Sequence, residues 1–137
     1  VFAHRFGEGS QPGPLNPGAF YVQEGVSGSI SGGLLKVCGK VSDPPYASVL
    51  INEPSFEFTG SGTLMFTAGI SSTTYDADIV TVPGVGLNHL LINKPGNTIT
   101  IKNNLVIAGI LMIYNGSALK IPSNKIVSVE KDVILLP

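Results

Sequence analysis

From Phe20 onward the chain alternates short β-branched or aromatic runs with glycine, proline and asparagine signals. No apolar stripe at i, i+3, i+4, i+7 persists for three turns, so the pattern predicts strands and no helices. The expected strands are "AFYVQ" (19–23), "GLLKVCGKV" (33–41), "ASVLIN" (47–52), "SFEFTG" (55–60), "TLMFTAGI" (63–70), "YDADIVTV" (75–82), "NTITIK" (97–102), "LVIAGILMIY" (105–114), "ALKI" (118–121) and "KIVSVEKDVILL" (125–136). About ten strands at this spacing predict an all-β compact sandwich, jelly roll or small barrel.

The turns between the runs fit that expectation. Asn103 and Asn104, which tolerate positive φ, read as a tight hairpin in "TIKNNLVI". In "NKPGN", Pro95 and Gly96 suit the two central positions of a type II turn. Gly60, Ser61 and Gly62 read as a hairpin closing "FTGSGTLMF", and Pro44 and Pro45 make "SDPPYA" a loop. No internal repeat of fixed period stands out; glycine-punctuated runs such as "GTLMFTAGI" read as kinks in curved sheets.

Two runs break the alternation of a sheet with one wet face. In "LVIAGILMIY", Leu105, Ile107, Gly109, Leu111 and Ile113 point one way and Val106, Ala108, Ile110, Met112 and Tyr114 the other, so both faces need cover. "DVILLP" ends the chain on Val133, Ile134, Leu135 and Leu136. At about 25 cal/mol per Å² of apolar area, leaving several such side chains in water costs several kcal/mol. Ile110, Met112, Tyr114, Ile134, Leu135 and Leu136 are therefore candidate contacts between subunits.

Before Phe20 the pattern changes. "VFAHRFGEGSQPGPLNPGAF" sets Phe2, Phe6 and Phe20 among four glycines and three prolines, a segment unable to build a helix or central strand. The layout is an extended Gly/Pro-rich arm, 1–19, before a β domain, 20–137. Ordering nineteen residues costs on the order of 20 to 40 kcal/mol, while burying Phe2, Phe6 and Leu15 returns about 1.5 to 3 kcal/mol each. The arm needs a partner that also pairs its backbone, as a peptide does when it adds to a sheet edge. Phe2, Arg5, Phe6, Pro12, Pro14, Leu15 and Pro17 are its expected contacts.

At 137 residues the chain is one domain, and only 12% of it is charged against 43% hydrophobic, with mean hydropathy +0.34. That balance points to apolar surface covered by another chain. A net charge near −1 with eight scattered Lys and Arg gives no footprint for nucleic acid or an anionic membrane. The longest apolar run is about half of the roughly 20 residues a membrane helix needs, and residues 1–20 lack a signal-peptide core. Cys38, the single cysteine, is expected to be a buried small hydrophobe.

Catalytic and metal chemistry find little to work with, and neither a catalytic site, a metal site nor a cofactor is expected. His4 and His89 stand apart, and no H-x-H, H-E-x-x-H, G-x-S-x-G or phosphate loop is present. Asp76 and Asp78 share a strand face that could bind Ca²⁺, but read as a solvated edge. Glu53 and Glu57 lack the specificity of a glycosidase pair, and "NGS" at 115–117 matches a glycosylation sequon but reads as a tight turn. A carbohydrate module wants a row of aromatics; Trp is absent and Tyr21, Tyr46, Tyr75 and Tyr114 are dispersed.

The arm "FGEGSQPGPLNPGAF", the low-charge β body behind it and the shortage of catalytic groups resemble the trimeric decoration, or cement, proteins on capsids of tailed bacteriophages. That resemblance implies a non-enzymatic homotrimer on the surface of the virion, its arm clasping a neighbouring subunit or the major capsid protein. The alternative is a ligand- or glycan-binding β domain, a lectin or receptor-binding head, tethered by its arm.

Overall fold

A computed structural model describes residues 2, 3, 20–38, 49–68 and 76–137, with the backbone alone at 2 and 3. Its strands are β1 (Phe2–Ala3), β2 (Phe20–Val22), β3 (Ser29–Ile30), β4 (Leu34–Val37), β5 (Val49–Ile51), β6 (Glu57–Phe58), β7 (Thr63–Thr67) and β8 (Ala77–Thr81). They continue as β9 (Gly86–Leu87), β10 (His89–Asn93), β11 (Thr98–Ile101), β12 (Leu105–Ile107), β13 (Leu111–Ile113), β14 (Ala118–Lys120), β15 (Val127–Val129) and β16 (Val133–Leu135). No helix occurs among the described residues.

The all-β expectation holds, but the sandwich, jelly roll or barrel does not. The chain is a β-solenoid of about four turns. Every pairing is parallel except that of β1 with β2. Each pass lays one strand on each of three faces. The first face stacks β2, β5, β8, β11 and β14; the third stacks β4, β7, β10, β13 and β16. The second is split between β3 with β6 and β9 with β12 and β15. Apart from β1 on β2, a strand's partner is thus not its neighbour in sequence but the strand one full turn away.

The turns build corners rather than hairpins. Between the third and first faces, Asn97 N–H donates to the Lys94 carbonyl (3.1 Å) and Ser117 N–H to that of Tyr114 (3.0 Å). Gly96 and Gly116 supply the positive φ, +81° and +77°, that the third residue of such a turn requires. The "NKPGN" turn is as expected. Asn103 and Asn104 are not a hairpin, since no non-glycine among the described residues has positive φ. They link rungs instead: Asn103 Oδ1 accepts from Thr81 N–H and Asn104 Oδ1 from Ile126 N–H, both at 3.0 Å.

A repeat does exist. Thr98 lies beside Ala118 and Leu111 beside Val133, so the later turns take 20 to 22 residues. Phe20 lies beside Val49 and Val49 beside Ile79, so the earlier turns take 29 or 30. This unequal spacing hides the period. The expected strands also omit β3, β9 and β10, although Leu90 and Ile92 of β10 are among the most buried residues.

Inward positions form ladders down the axis: Phe20, Val49, Ile79, Ile101 on the first face and Leu35, Leu64, Leu90, Leu111 on the third. Identical chemistry stacked about 4.8 Å apart fills the interior without a second sheet. The alternation read in 105–114 survives although the run is two strands around a corner. Leu105, Ile107, Gly109 and Leu111 are buried and Ile113 packs on the core, while Val106 and Ala108 face solvent.

Of the arm, β1 runs antiparallel along β2, Phe2 beside Tyr21. Arg5, Phe6, Pro12, Pro14, Leu15 and Pro17, and the Pro44–Pro45 loop, lie outside the described residues.

Candidate functional site

The titratable residues considered for catalysis end on different parts of the prism. Asp76 and Asp78 belong to the first face, Glu53 to the corner before the second, Glu57 to β6, and His89 to the start of β10. Among the described residues no group of three or more His, Cys, Asp or Glu could hold a metal ion. His4 lies outside them.

Each of these groups has a structural task. Glu53 accepts hydrogen bonds from Gly25 N–H (2.7 Å), Ser55 N–H (3.0 Å) and Ser55 Oγ–H (2.6 Å), tying the corner of one rung to the rung before. The Ser55 bonds, then that from Gly25, hold its carboxyl below the usual glutamate range. His89 Nδ1 accepts from Ile110 N–H (3.0 Å), which places its proton on Nε2 and pins the next corner. Asp76 Oδ1 accepts from Thr98 N–H (2.8 Å) and Asn97 Nδ2–H (3.4 Å). Lys94, at the same corner, is buried, a feature no local motif announces. Burial pushes its ammonium down from the usual lysine range, against the pull of nearby Cys38 and Asp76. Cys38 itself is exposed, contrary to the sequence expectation. It follows the inward Val37, so strand alternation turns it out.

Burial pushes the Asp78 carboxyl above the usual aspartate range, Asp76 adds to the rise, and Lys102 Nζ, 3.8 Å away and half exposed, offsets part of it. The folded protein therefore holds this proton more tightly than the unfolded chain does. The resulting stability is present below the ordinary aspartate range and is lost as pH rises through the raised folded value. Asp78→Asn is expected to raise the melting temperature at pH 7, where the wild-type carboxylate is charged, and to give no gain at pH 3, where both side chains are neutral. Thermal scans at the two pH values check this.

Two outer surfaces remain. Along the second face a groove of about 800 Å³ runs past Gly84, Gly86, Asn104, Val106, Lys125 and Ile126. Gly86 occupies the outward position on β9, where an added Cβ would stand 3.4 Å from the Val106 carbonyl oxygen. The third face is different. Its outward column runs Lys36, Met65, Leu91, Met112, Ile134, apolar after the first rung. Ile110, Tyr114 and Leu136 flank it, all half-buried. Five of the six candidate contacts thus gather on one outer face. Leu135 does not; it aligns with Ile113 and points to the solenoid axis.

No family model, curated protein or solved structure matches this chain.

Proposed function

We propose that the chain is a non-enzymatic structural protein of an assembled particle, a capsid-decoration protein whose short solenoid sets one apolar outer face against neighbouring subunits. The partners are copies of itself in a homotrimer and the major capsid protein of the shell. The observation that carries this reading is the third-face column Met65, Leu91, Met112 and Ile134. Apolar side chains face outward elsewhere too, as at Val106 and in Leu50 beside Val80, but here they run unbroken over four rungs, and part-exposed side chains in a row gain free energy when a second surface covers them. A rigid stack suits the task, since it presents that row without loop ordering costs. A protein that binds the closed shell and not its open state shifts the balance toward closure by its own binding free energy.

Met112→Lys puts a charge in the middle of this column without touching the core. Its expected result is a fold unchanged by circular dichroism, a light-scattering mass reduced to that of one chain, and weaker retention on shells. Unchanged mass and retention overturn the proposal. A variant that stays folded while the wild-type protein is monomeric and binds glycan in the second-face groove would support the ligand-binding alternative instead.

A further inference from the structure

Lys94 and Asn97 are the first and last residues of the turn that carries the chain from β10 to β11, and each holds a polar group in costly surroundings. Lys94 is 1% exposed. Asn97 Oδ1 is buried with no hydrogen-bond partner among the described residues. A buried ammonium and an orphaned buried carbonyl both oppose folding. The backbone that bears them is fixed: Asn97 N–H donates to the Lys94 carbonyl (3.1 Å), Lys94 N–H to Ser117 Oγ (2.9 Å) and Ala118 N–H to the Asn97 carbonyl (3.2 Å). Asp76, beside the start of β11 on the rung before, completes the cluster. Its Oδ1 accepts from Asn97 Nδ2–H (3.4 Å) and is held in place by Thr98 N–H (2.8 Å).

We propose that this corner is a self-modification site, in which Lys94 Nζ and Asn97 Cγ join in an intramolecular isopeptide bond with Asp76 as the proton carrier. The neutral Lys94 amine attacks the Asn97 carboxamide carbon, and the electron pair of the Cγ–Nδ2 bond leaves with Nδ2. Asp76 takes a proton from the attacking amine and delivers it to the Nδ2 that it already contacts, so ammonia departs. An amine and a carboxamide give a secondary amide and ammonia, and neither an oxidant nor a cofactor is consumed. The surroundings favour each part of the step. Burial holds the Lys94 ammonium below the usual lysine range, which raises the share of nucleophilic amine. The closed turn keeps amine and carboxamide in one small loop, so the condensation is intramolecular. The product has no buried charge at Lys94. Cys38, the other neighbour of that amine, is no substitute for Asn97, because a thiol has no leaving group to displace and a sulfur–nitrogen bond needs an oxidant. The bond staples the corner between the third and first faces on an interior rung, whatever covers the outer surfaces.

Mass spectrometry of the intact, folded wild-type protein tests this. The chain should weigh about 17 Da less than its sequence mass, the loss of one ammonia that amide formation by a lysine amine entails. Fragmentation of the peptide spanning 94–97 should yield no fragments from breaks between Lys94 and Asn97, since the side-chain bond holds the two halves together. Lys94→Met should restore the full sequence mass. Asp76→Asn, which keeps an acceptor for Thr98 N–H, should restore it too, with the fold unchanged by circular dichroism and both reacting residues still present. A folded wild-type chain at its full sequence mass overturns the proposal. So does a deficit that persists in Lys94→Met or in Asp76→Asn, which would belong to a cyclic imide at an asparagine, such as Asn115 before Gly116, and not to this corner.

Discussion

Phe56→Ala is expected to destabilise the protein by about 3 to 5 kcal/mol, which is a large part of the roughly 5 to 15 kcal/mol that holds a typical domain. Phe56 is buried at the corner between the first and second faces. Its ring stands 6.0 Å from that of Phe20 at 56° and 5.6 Å from that of Phe58 at 80°, geometries in which aromatic edges meet aromatic faces. Phe20 belongs to the first rung and Phe56 and Phe58 to the second, so the cluster fastens two rungs together. Truncation removes the ring and leaves a cavity that neighbours fixed in parallel ladders cannot close. Urea unfolding followed by circular dichroism should show the midpoint falling with the slope unchanged. A loss below about 1 kcal/mol would show that the stack closes over the gap.

Gly62→Ala is expected to cost on the order of 3 kcal/mol, although it adds one methyl group. The added Cβ would strike the Ile30 carbonyl oxygen and lie 3.1 Å from that of Thr59. Both obstacles are backbone held in place by hydrogen bonds, Thr59 N–H to Ile30 O and Gly62 N–H to Thr59 O, each 2.9 Å. Neither can yield without parting two rungs. Gly33→Ala is the informative comparison. Nothing stands within 4 Å of a Cβ there, and the strain is conformational, from a φ of +75°. About 1 to 2 kcal/mol is expected for that change. Melting of the two variants side by side distinguishes lack of space from lack of backbone freedom, and a Gly62→Ala protein no less stable than Gly33→Ala would refute the packing argument.

How much of this was legible from residues alone depended on range. The Lys94–Asn97 and Tyr114–Ser117 turns are decided by Pro95, Gly96 and Gly116, all local, and they form. The two-sided reading of 105–114 is also local and survives a corner, because Gly109 continues the inward sequence where the chain bends. Strand pairing is not local. The turn residues that close a hairpin also make a corner, and the difference lies in whether Leu90 finds a neighbour in the next few residues or, as it does, in Leu111 a turn later. Unequal turns of 20 to 30 residues blurred the one signal that could have shown this. Asn103 and Asn104 carried a further clue: side-chain amides that accept from Thr81 and Ile126 are spacers between rungs, as useful in a stack as in a hairpin.

For the site, the apolar outward positions Ile110, Met112, Tyr114, Ile134 and Leu136 were found as candidates for contact, while their gathering on one face required the fold. Leu135 stands apart from that face for a physical reason. An inward residue of the last rung looks in sequence like any other apolar residue near a terminus, and only the ladder from Ile113 reveals its direction. Cys38, expected inside, is outside, and Lys94 is buried with no local motif to announce it.

Because each rung touches only the rungs before and after it, interior rungs are gripped twice, and among the described residues the rung of β2, β3 and β4 and that of β14, β15 and β16 are gripped by one other rung each. In such a stack the free energy of opening is not one number for the molecule but rises from the outer rungs to the interior ones. Such a stack unzips rung by rung, and the column of Leu64, Leu90 and Leu111 at its middle is the last to part.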